Sequence, residues 1–319
     1  MDMHESIKKF NEQFRFNPEI KNRDNFKPTR KFIIAGMGGS NIASDFLWIY
    51  RPELEIISHR SYGLPIVKNI TDYTVIVSSY SGNTEEAVNS YNEARDKGLS
   101  VILITVGGKL LELAKEQDTP YIQMPDTGIQ PRMALGFSFM AMLKALSDED
   151  GLREANKLTE GLNLDSELAG KSLAEKIEGK IPIIYSSTIN GPLARDWKIN
   201  FNENGKIPAF FNIWPELNHN EMTGFGEVKE LSNNFYFIFL KDLSDLPQIQ
   251  NRMDITSKLF SDKNLAMENV VLDNDRGLLY KIFSSVILSL WASYYTAKNY
   301  GLDPEKVPMV EEFKRLIKP

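Results

Sequence analysis

Apolar runs of strand length that break straight into a glycine- or hydroxyl-rich turn, and from there into a helical pattern, recur along this chain and restrict its fold more than any other feature. Lys31-Phe32-Ile33-Ile34-Ala35-Gly36 leads into Met37-Gly38-Gly39-Ser40-Asn41 and an apolar-periodic helix from about Ile42. Tyr73 to Val77 leads into Ser78-Ser79-Tyr80-Ser81-Gly82-Asn83-Thr84 and a helix opened by Glu85 and Glu86. Runs without polar interruption suit strands covered on both faces, which are parallel strands joined by helical crossovers. Strands are expected near 31–36, 54–58, 73–79, 101–106 and 120–124, with helices near 42–50, 84–97, 108–116 and 134–148. A second rhythm starts at Ile181-Pro182-Ile183-Ile184-Tyr185-Ser186-Ser187-Thr188. It continues with a helix over 193–201, strands over 208–212, 235–240 and 268–272, and helices over 278–299 and 307–317. The pattern predicts an α/β chain of two domains, 1–150 and 151–319, each a parallel sheet flanked by helices in the flavodoxin-like, doubly wound manner. The charged, mostly helical stretch 147–178 reads as the crossing between them.

In such sheets ligands gather at the carboxyl ends of the strands, where both turns lie. The serine-rich turn aims hydroxyls and free backbone N–H groups at one point above a helix N-terminus, whose partial positive charge favours a phosphate without any lysine. Ser and Thr also cap helices, and one of these hydroxyls serves that need equally well. The glycine turn invites a dinucleotide reading, which fails on three counts. A third glycine would fall at Asn41, the second strand ends in Ser58 and His59 rather than in an acid, and no Walker-type lysine follows. Gly38, Gly39 and Ser40 instead suit close backbone approach to a small phosphorylated ligand.

Composition narrows the partners. The net charge is −6 and no long basic run occurs, so a nucleic-acid face is not expected. There are no cysteines, which excludes disulfides and thiolate chemistry and suits a cytoplasmic protein. The start, Met1-Asp2-Met3-His4-Glu5-Ser6, is charged rather than signal-like, and the apolar stretch from Val286 is broken by Ser289 and Ser293, so no membrane span is expected. The 3 histidines are too scattered for a metal site.

Three polar segments could carry chemistry: Asn202-Glu203-Asn204, Pro215-Glu216-Leu217-Asn218-His219-Asn220-Glu221, and Gln130-Pro131-Arg132. Each has an ordinary explanation as well: a solvated helix end, a surface histidine and a surface ion pair.

Taken together, Gly38-Gly39-Ser40, Ser79-x-Ser81-Gly82-Asn83-Thr84 and the glutamate and histidine segments resemble the sugar-isomerase (SIS) family. Within it they resemble the branch of bifunctional phosphoglucose/phosphomannose isomerases known chiefly from archaea. The resemblance runs from about residue 25 to the end and implies two SIS domains. It further implies an aldose–ketose isomerase that moves a proton between C1 and C2 of a sugar phosphate through a cis-enediolate. Glu203 would be the base, Arg132 the stabiliser of the developing oxyanion, and His219 the ring-opening group, reaching the site of a partner subunit in a homodimer. Gly38, Gly39, Ser40, Ser79, Ser81 and Thr84 would hold the phosphate, and a lysine near the C-terminus, Lys314 or alternatively Lys298, would act at the sugar ring. Glu305 stands where the family often has Thr after Asp303-Pro304. No metal or cofactor is implied, and no nucleic-acid or membrane partner. Two alternatives keep the phosphate site: an isomerase for a pentose or heptose phosphate, and a non-catalytic regulator that senses a sugar phosphate.

Overall fold

In the first half each apolar run becomes a strand whose sheet position follows from its polarity. The computed structural model describes residues 2–162 and 164–317. The chain divides into two compact units, Met1–Leu162 and Asn163–Pro319. The first contains β1 (Lys31–Gly36), β2 (Glu55–His59), β3 (Tyr73–Ser78), β4 (Ser100–Thr105) and β5 (Tyr121–Gln123), all parallel in the order β2-β1-β3-β4-β5. This is the flavodoxin-like order, with its switch point between β1 and β3. Those two strands are buried nearly throughout, whereas β2, with Glu55, Ser58 and His59, forms a half-exposed edge. Helices Gly39–Tyr50, Glu85–Asp96, Gly108–Glu116 and Leu135–Ala145 alternate with the strands as expected. Ile33, Val75, Val77, Leu103 and the helix residues Ala87, Tyr91 and Leu110 form one buried core.

The division falls after Leu162 rather than at 150. Helices Glu149–Asn156 and Leu158–Gly161 bury Leu152, Ala155 and Leu158. They are tied to the chain start by Asn11 Nδ2, which donates to Thr159 O at 2.5 Å, and by Asn156 Nδ2, which donates to Phe14 O at 2.9 Å. Charge had suggested a linker here; the apolar stripe on the other face belongs to the first unit.

The second unit repeats the plan. Its strands β6 (Ile181–Ser187), β7 (Phe210–Trp214), β8 (Phe235–Lys241) and β9 (Met267–Val271) are parallel in the order β7-β6-β8-β9, which is β2-β1-β3-β4 again. Aromatic rings fill its core: Trp214 meets Phe239 edge-on at 4.9 Å between centroids, and Phe237 meets Phe260 at 4.7 Å. Phe260 lies on the helix Pro247–Asp262, which the sequence reading did not contain. That helix buries only Met253, Thr256 and Phe260, a stripe too narrow to give a clear 3.6-residue signal.

Helices Gly191–Glu203 and Leu278–Asn299 pack through polar groups. Trp197 Nε1 donates to Ser285 Oγ at 3.0 Å, Asn200 Nδ2 to Ser289 Oγ at 2.9 Å, and Asn204 Nδ2 to Ser293 Oγ at 3.3 Å. Spacings of three and four residues on the first helix and of four on the second make a ladder of about one turn per rung. The serines that kept this segment from reading as a membrane span are therefore its internal fastening. No helix among the described residues is long and apolar enough to cross a membrane.

Candidate active site

In the first unit, three segments far apart in sequence meet at the carboxyl ends of β1 and β3. The Tyr80 N–H donates to Ser40 Oγ at 2.9 Å, and Ser78 Oγ donates to Ser40 O at 3.0 Å, so the glycine turn and the serine turn are one structure. Gly38 has φ +51° and open space where a Cβ would stand. Gly39 is constrained differently: a Cβ there would lie 2.8 Å from Arg132 Cα, so its small size admits the Pro131–Met133 turn. That turn is clamped by Gln13, whose Nε2 donates to Met133 O at 2.8 Å while its Oε1 accepts from Gly136 N–H at 3.0 Å. Arg132 is thereby held beside Gly39 and is buried.

Ser79 and Thr84 do not spend their hydroxyls on helix capping. They bond to each other at 2.9 Å, and Ser79 Oγ also accepts from the Gly82 N–H at 3.1 Å. Helix Glu85–Asp96 consequently begins without a side-chain cap, and so does Gly39–Tyr50. Two uncapped helix N-termini thus start next to one another, with Ser81 exposed on the rim. This is the local architecture of an oxyanion site.

Residues beyond the expected set hold it in shape. Asn41, where a dinucleotide motif would have glycine, sends its Nδ2 to Gly36 O at 2.9 Å and His59 O at 3.1 Å, pinning β1 to β2. Asn83 Oδ1 accepts from the Lys109 N–H at 3.0 Å, and Gly82, at φ +70°, packs against Gly107 O where no side chain fits. The Ser-Gly-Asn sequence is therefore as much a splice to the next βα turn as a ligand loop.

The remaining candidates lie in the second unit. Glu203 is the last residue of the helix Gly191–Glu203, two residues beyond the expected end. It is half-exposed, and the next residue, Asn204, is buried on the serine ladder. His219 ends the turn Glu216–His219 and is exposed, its imidazole without a partner among the described residues. Its neighbours do the anchoring. Leu217 is buried, Asn218 Nδ2 donates to Thr256 Oγ1 at 3.0 Å, and Glu221 accepts from Tyr185 Oη at 2.5 Å. Burial, with the Glu221 carboxylate added, pushes the Tyr185 hydroxyl far above its ordinary range, so it stays a donor. Of the two lysines, Lys298 rests its ammonium 5.8 Å from the Tyr294 ring centroid, whereas Lys314 is exposed on the helix Pro308–Leu316. No group of three His, Cys, Asp or Glu residues suited to a metal ion occurs among the described residues.

Comparison with known proteins identifies the lineage. The family profile described as bacterial phospho-glucose isomerase C-terminal SIS domain matches residues 167–317. The bifunctional phosphoglucose/phosphomannose isomerase of Aquifex aeolicus is 34% identical over 331 aligned positions, covering 99% of this chain and 98% of that one. The enzyme of the same name from Caldicellulosiruptor bescii is 35% identical, covering 90% of this chain and 89% of its own. This chain belongs to the bifunctional phosphoglucose/phosphomannose isomerase family. At fold level it also superposes on tagatose-6-phosphate ketose/aldose isomerase from Escherichia coli, with TM-score 0.67 at 12% identity over 95% of this chain and 94% of that one. The two-sheet SIS architecture expected from the sequence is thus the one present. The Asp242–Lys281 pair and Lys206 carry no signal in the sequence beyond their ordinary residue types.

Proposed function

We propose that this chain interconverts glucose 6-phosphate and fructose 6-phosphate, and mannose 6-phosphate and fructose 6-phosphate, as a homodimer without a metal cofactor. The observation that carries this is the pair of uncapped helix N-termini at the β1–β3 switch point, joined through Ser40 and flanked by Arg132, in a chain of this family. The phosphate is bound by the Ser40, Ser79, Ser81 and Thr84 hydroxyls and by backbone N–H groups from Gly38 onward. Binding energy at this end, remote from the reacting carbons, goes into positioning C1 and C2.

His219, supplied by the partner subunit, assists ring opening by moving a proton between the ring oxygen and the anomeric hydroxyl. Glu203 then removes the C2 proton of the open aldose and the O2 proton passes to O1, giving a cis-enediolate with its negative charge on O2. Arg132 stabilises the negative charge on oxygen. Returning the proton from Glu203 to C1 as O2 becomes the carbonyl completes the ketose, with atoms and charge balanced. One base serves both C2 epimers after rotation about C2–C3. Lys314 acts at the sugar ring.

A coupled assay with glucose, mannose and arabinose phosphates, chelator present, tests the reading. Turnover of both hexose phosphates and not of the pentose phosphate is expected; turnover of the pentose phosphate alone would replace it with the second isomerase class. Mixing inactive Glu203→Gln and His219→Ala proteins should restore part of the activity through hybrid dimers. No recovery after verified subunit exchange would place the histidine in its own subunit's site or outside the mechanism.

A further inference from the structure

The helix that ends at Glu203 is finished by an unusual residue. After Asn204 and Gly205 the backbone turns left-handed at Lys206, with φ +61°, a region where glycine or asparagine is the ordinary choice. A lysine kept in that conformation points to its side chain. The Lys206 ammonium donates to three main-chain oxygens: Glu203 O, Pro304 O at 3.2 Å and Lys306 O at 2.5 Å. One of them belongs to the last turn of the helix, where carbonyls lack intrahelical partners and a cation is favoured. The other two belong to the segment between helices Leu278–Asn299 and Pro308–Leu316. An ammonium has three protons, and here each has an acceptor. Further stays act on the same turn: Asn202 Nδ2 donates to Ile207 O at 3.0 Å, and Asn204 Nδ2 reaches Ser293 Oγ at 3.3 Å.

We propose that Lys206 is a positioning residue for proton transfer by Glu203: it fixes the Glu203 backbone against the Pro304–Lys306 segment so that the carboxylate is presented in one orientation. The proposal rests on the assignment of Glu203 as the base. Without the ammonium, the Glu203 carbonyl loses this donor and the last helical turn loses the tie that Lys206 makes to the 304–306 segment. A base displaced by about 1 Å costs on the order of 10²-fold in rate while substrate binding, set at the phosphate, is retained.

The test compares Lys206→Met, Lys206→Gln and Lys206→Arg with Glu203→Gln and with the double variant Lys206→Met/Glu203→Gln, each checked for folding by circular dichroism and urea unfolding. For Lys206→Met, kcat should fall about 10²-fold with KM within about twofold of the parent. Lys206→Arg should recover part of the loss, because a guanidinium also donates to several carbonyls. The double variant should be no slower than Glu203→Gln alone, since a base that is absent cannot be misplaced. Parent-like kcat in folded Lys206→Met, a rise in KM alone, or losses that multiply in the double variant would each overturn the positioning role. If Lys206→Met does not fold, the Gln and Arg variants decide by the same kcat-against-KM criterion. Glu203→Gln that retains turnover overturns the base assignment and the proposal with it; Glu203→Gln inactive beside parent-like Lys206 variants overturns the proposal alone.

Discussion

The carboxyl ends of β1 and β3 in the first unit and of β6 and β8 in the second occupy the same place in the same strand order, yet they are finished in opposite ways. In the first, Ser79 follows β3 directly, the hydroxyls bond among themselves and to backbone, and the Cβ position of Gly38 faces open space. In the second, the residue directly after β8 is Asp242, and its carboxylate is surrounded by donors. These are Lys281 Nζ at 2.6 Å, Asn190 Nδ2 at 2.9 Å, Asn274 Nδ2 at 2.8 Å, and both the N–H and Oγ of Ser244 at 2.8 and 2.6 Å. The side chains of Lys281 and Asp242 are 4% and 1% exposed. One switch point leaves two helix N-termini without side-chain caps; the other holds a buried carboxylate. The shared topology therefore supplies the electrostatic niche, and in the second unit the residue after the third strand fills it with a carboxylate. Burial alone would raise the Asp242 pKa. The hydrogen bonds from Lys281, Ser244 and Asn190 outweigh that and hold its carboxyl well below the usual carboxylate range.

The sharpest way to break this contrast is to separate chemistry from binding. Glu203→Gln keeps shape and hydrogen bonding but cannot accept a proton, so kcat should fall about 10²–10⁴-fold for glucose and mannose phosphates alike, with KM little changed. Steady-state assays with both sugars check this; retained turnover of either would end the shared-base mechanism.

Next in size is the filled switch point. Lys281→Met leaves a buried carboxylate without its cation and should cost about 3–5 kcal/mol in urea unfolding. The double variant Asp242→Asn/Lys281→Met removes both charges and should cost distinctly less. Equal losses in the two would mean that packing, not charge pairing, fills the niche.

On the open side, Ser79→Ala and Ser81→Ala would each delete a hydrogen bond to the phosphate of the proposed substrate, worth about 1.5–3 kcal/mol. The double variant should therefore show a raised KM at nearly unchanged stability. An unaltered KM would remove the phosphate from this turn.

The smallest effect is a pH dependence. Because the folded pKa of Asp242 is depressed, its contribution to stability is complete above the unfolded carboxylate value of about 3.9 and is lost as pH falls from there toward the folded pKa. The stability gap between the parent and Asp242→Asn should narrow on acidification below about pH 4 and be flat from pH 5 to 7. A gap constant down to pH 2 would show that the carboxylate is not the ionised group in this cluster.

The central strands were legible because apolar runs of six or seven residues leave few other options for a buried, doubly covered element, and the shorter or half-polar β2, β5 and β9 followed from the strand–helix rhythm. The serine turn was legible because a local hydroxyl density exceeds what one cap uses. The helix Pro247–Asp262 was not, since its buried face is three residues and its neighbours Ile255 and Leu259 are exposed, which blurs the periodicity. Residues 151–162 were placed in the wrong half because their charges face solvent while the deciding contacts, from Asn11 and Phe14, come from the far end of the chain.

The sequence by itself determined the alternation of strand and helix, the absence of a dinucleotide motif, and the glycine and serine turns that follow β1 and β3, because each is a matter of neighbouring residues and their backbone geometry. Tertiary structure alone decided three things. Gly39 is small for the sake of Arg132, 93 positions later; Asp242 meets Lys281 across a separation of 39 residues; and the Lys206 ammonium finds carbonyls 98 and 100 residues away. Such pairings satisfy buried charge and backbone polarity wherever the fold happens to bring partners together, and no local pattern encodes which partner that will be.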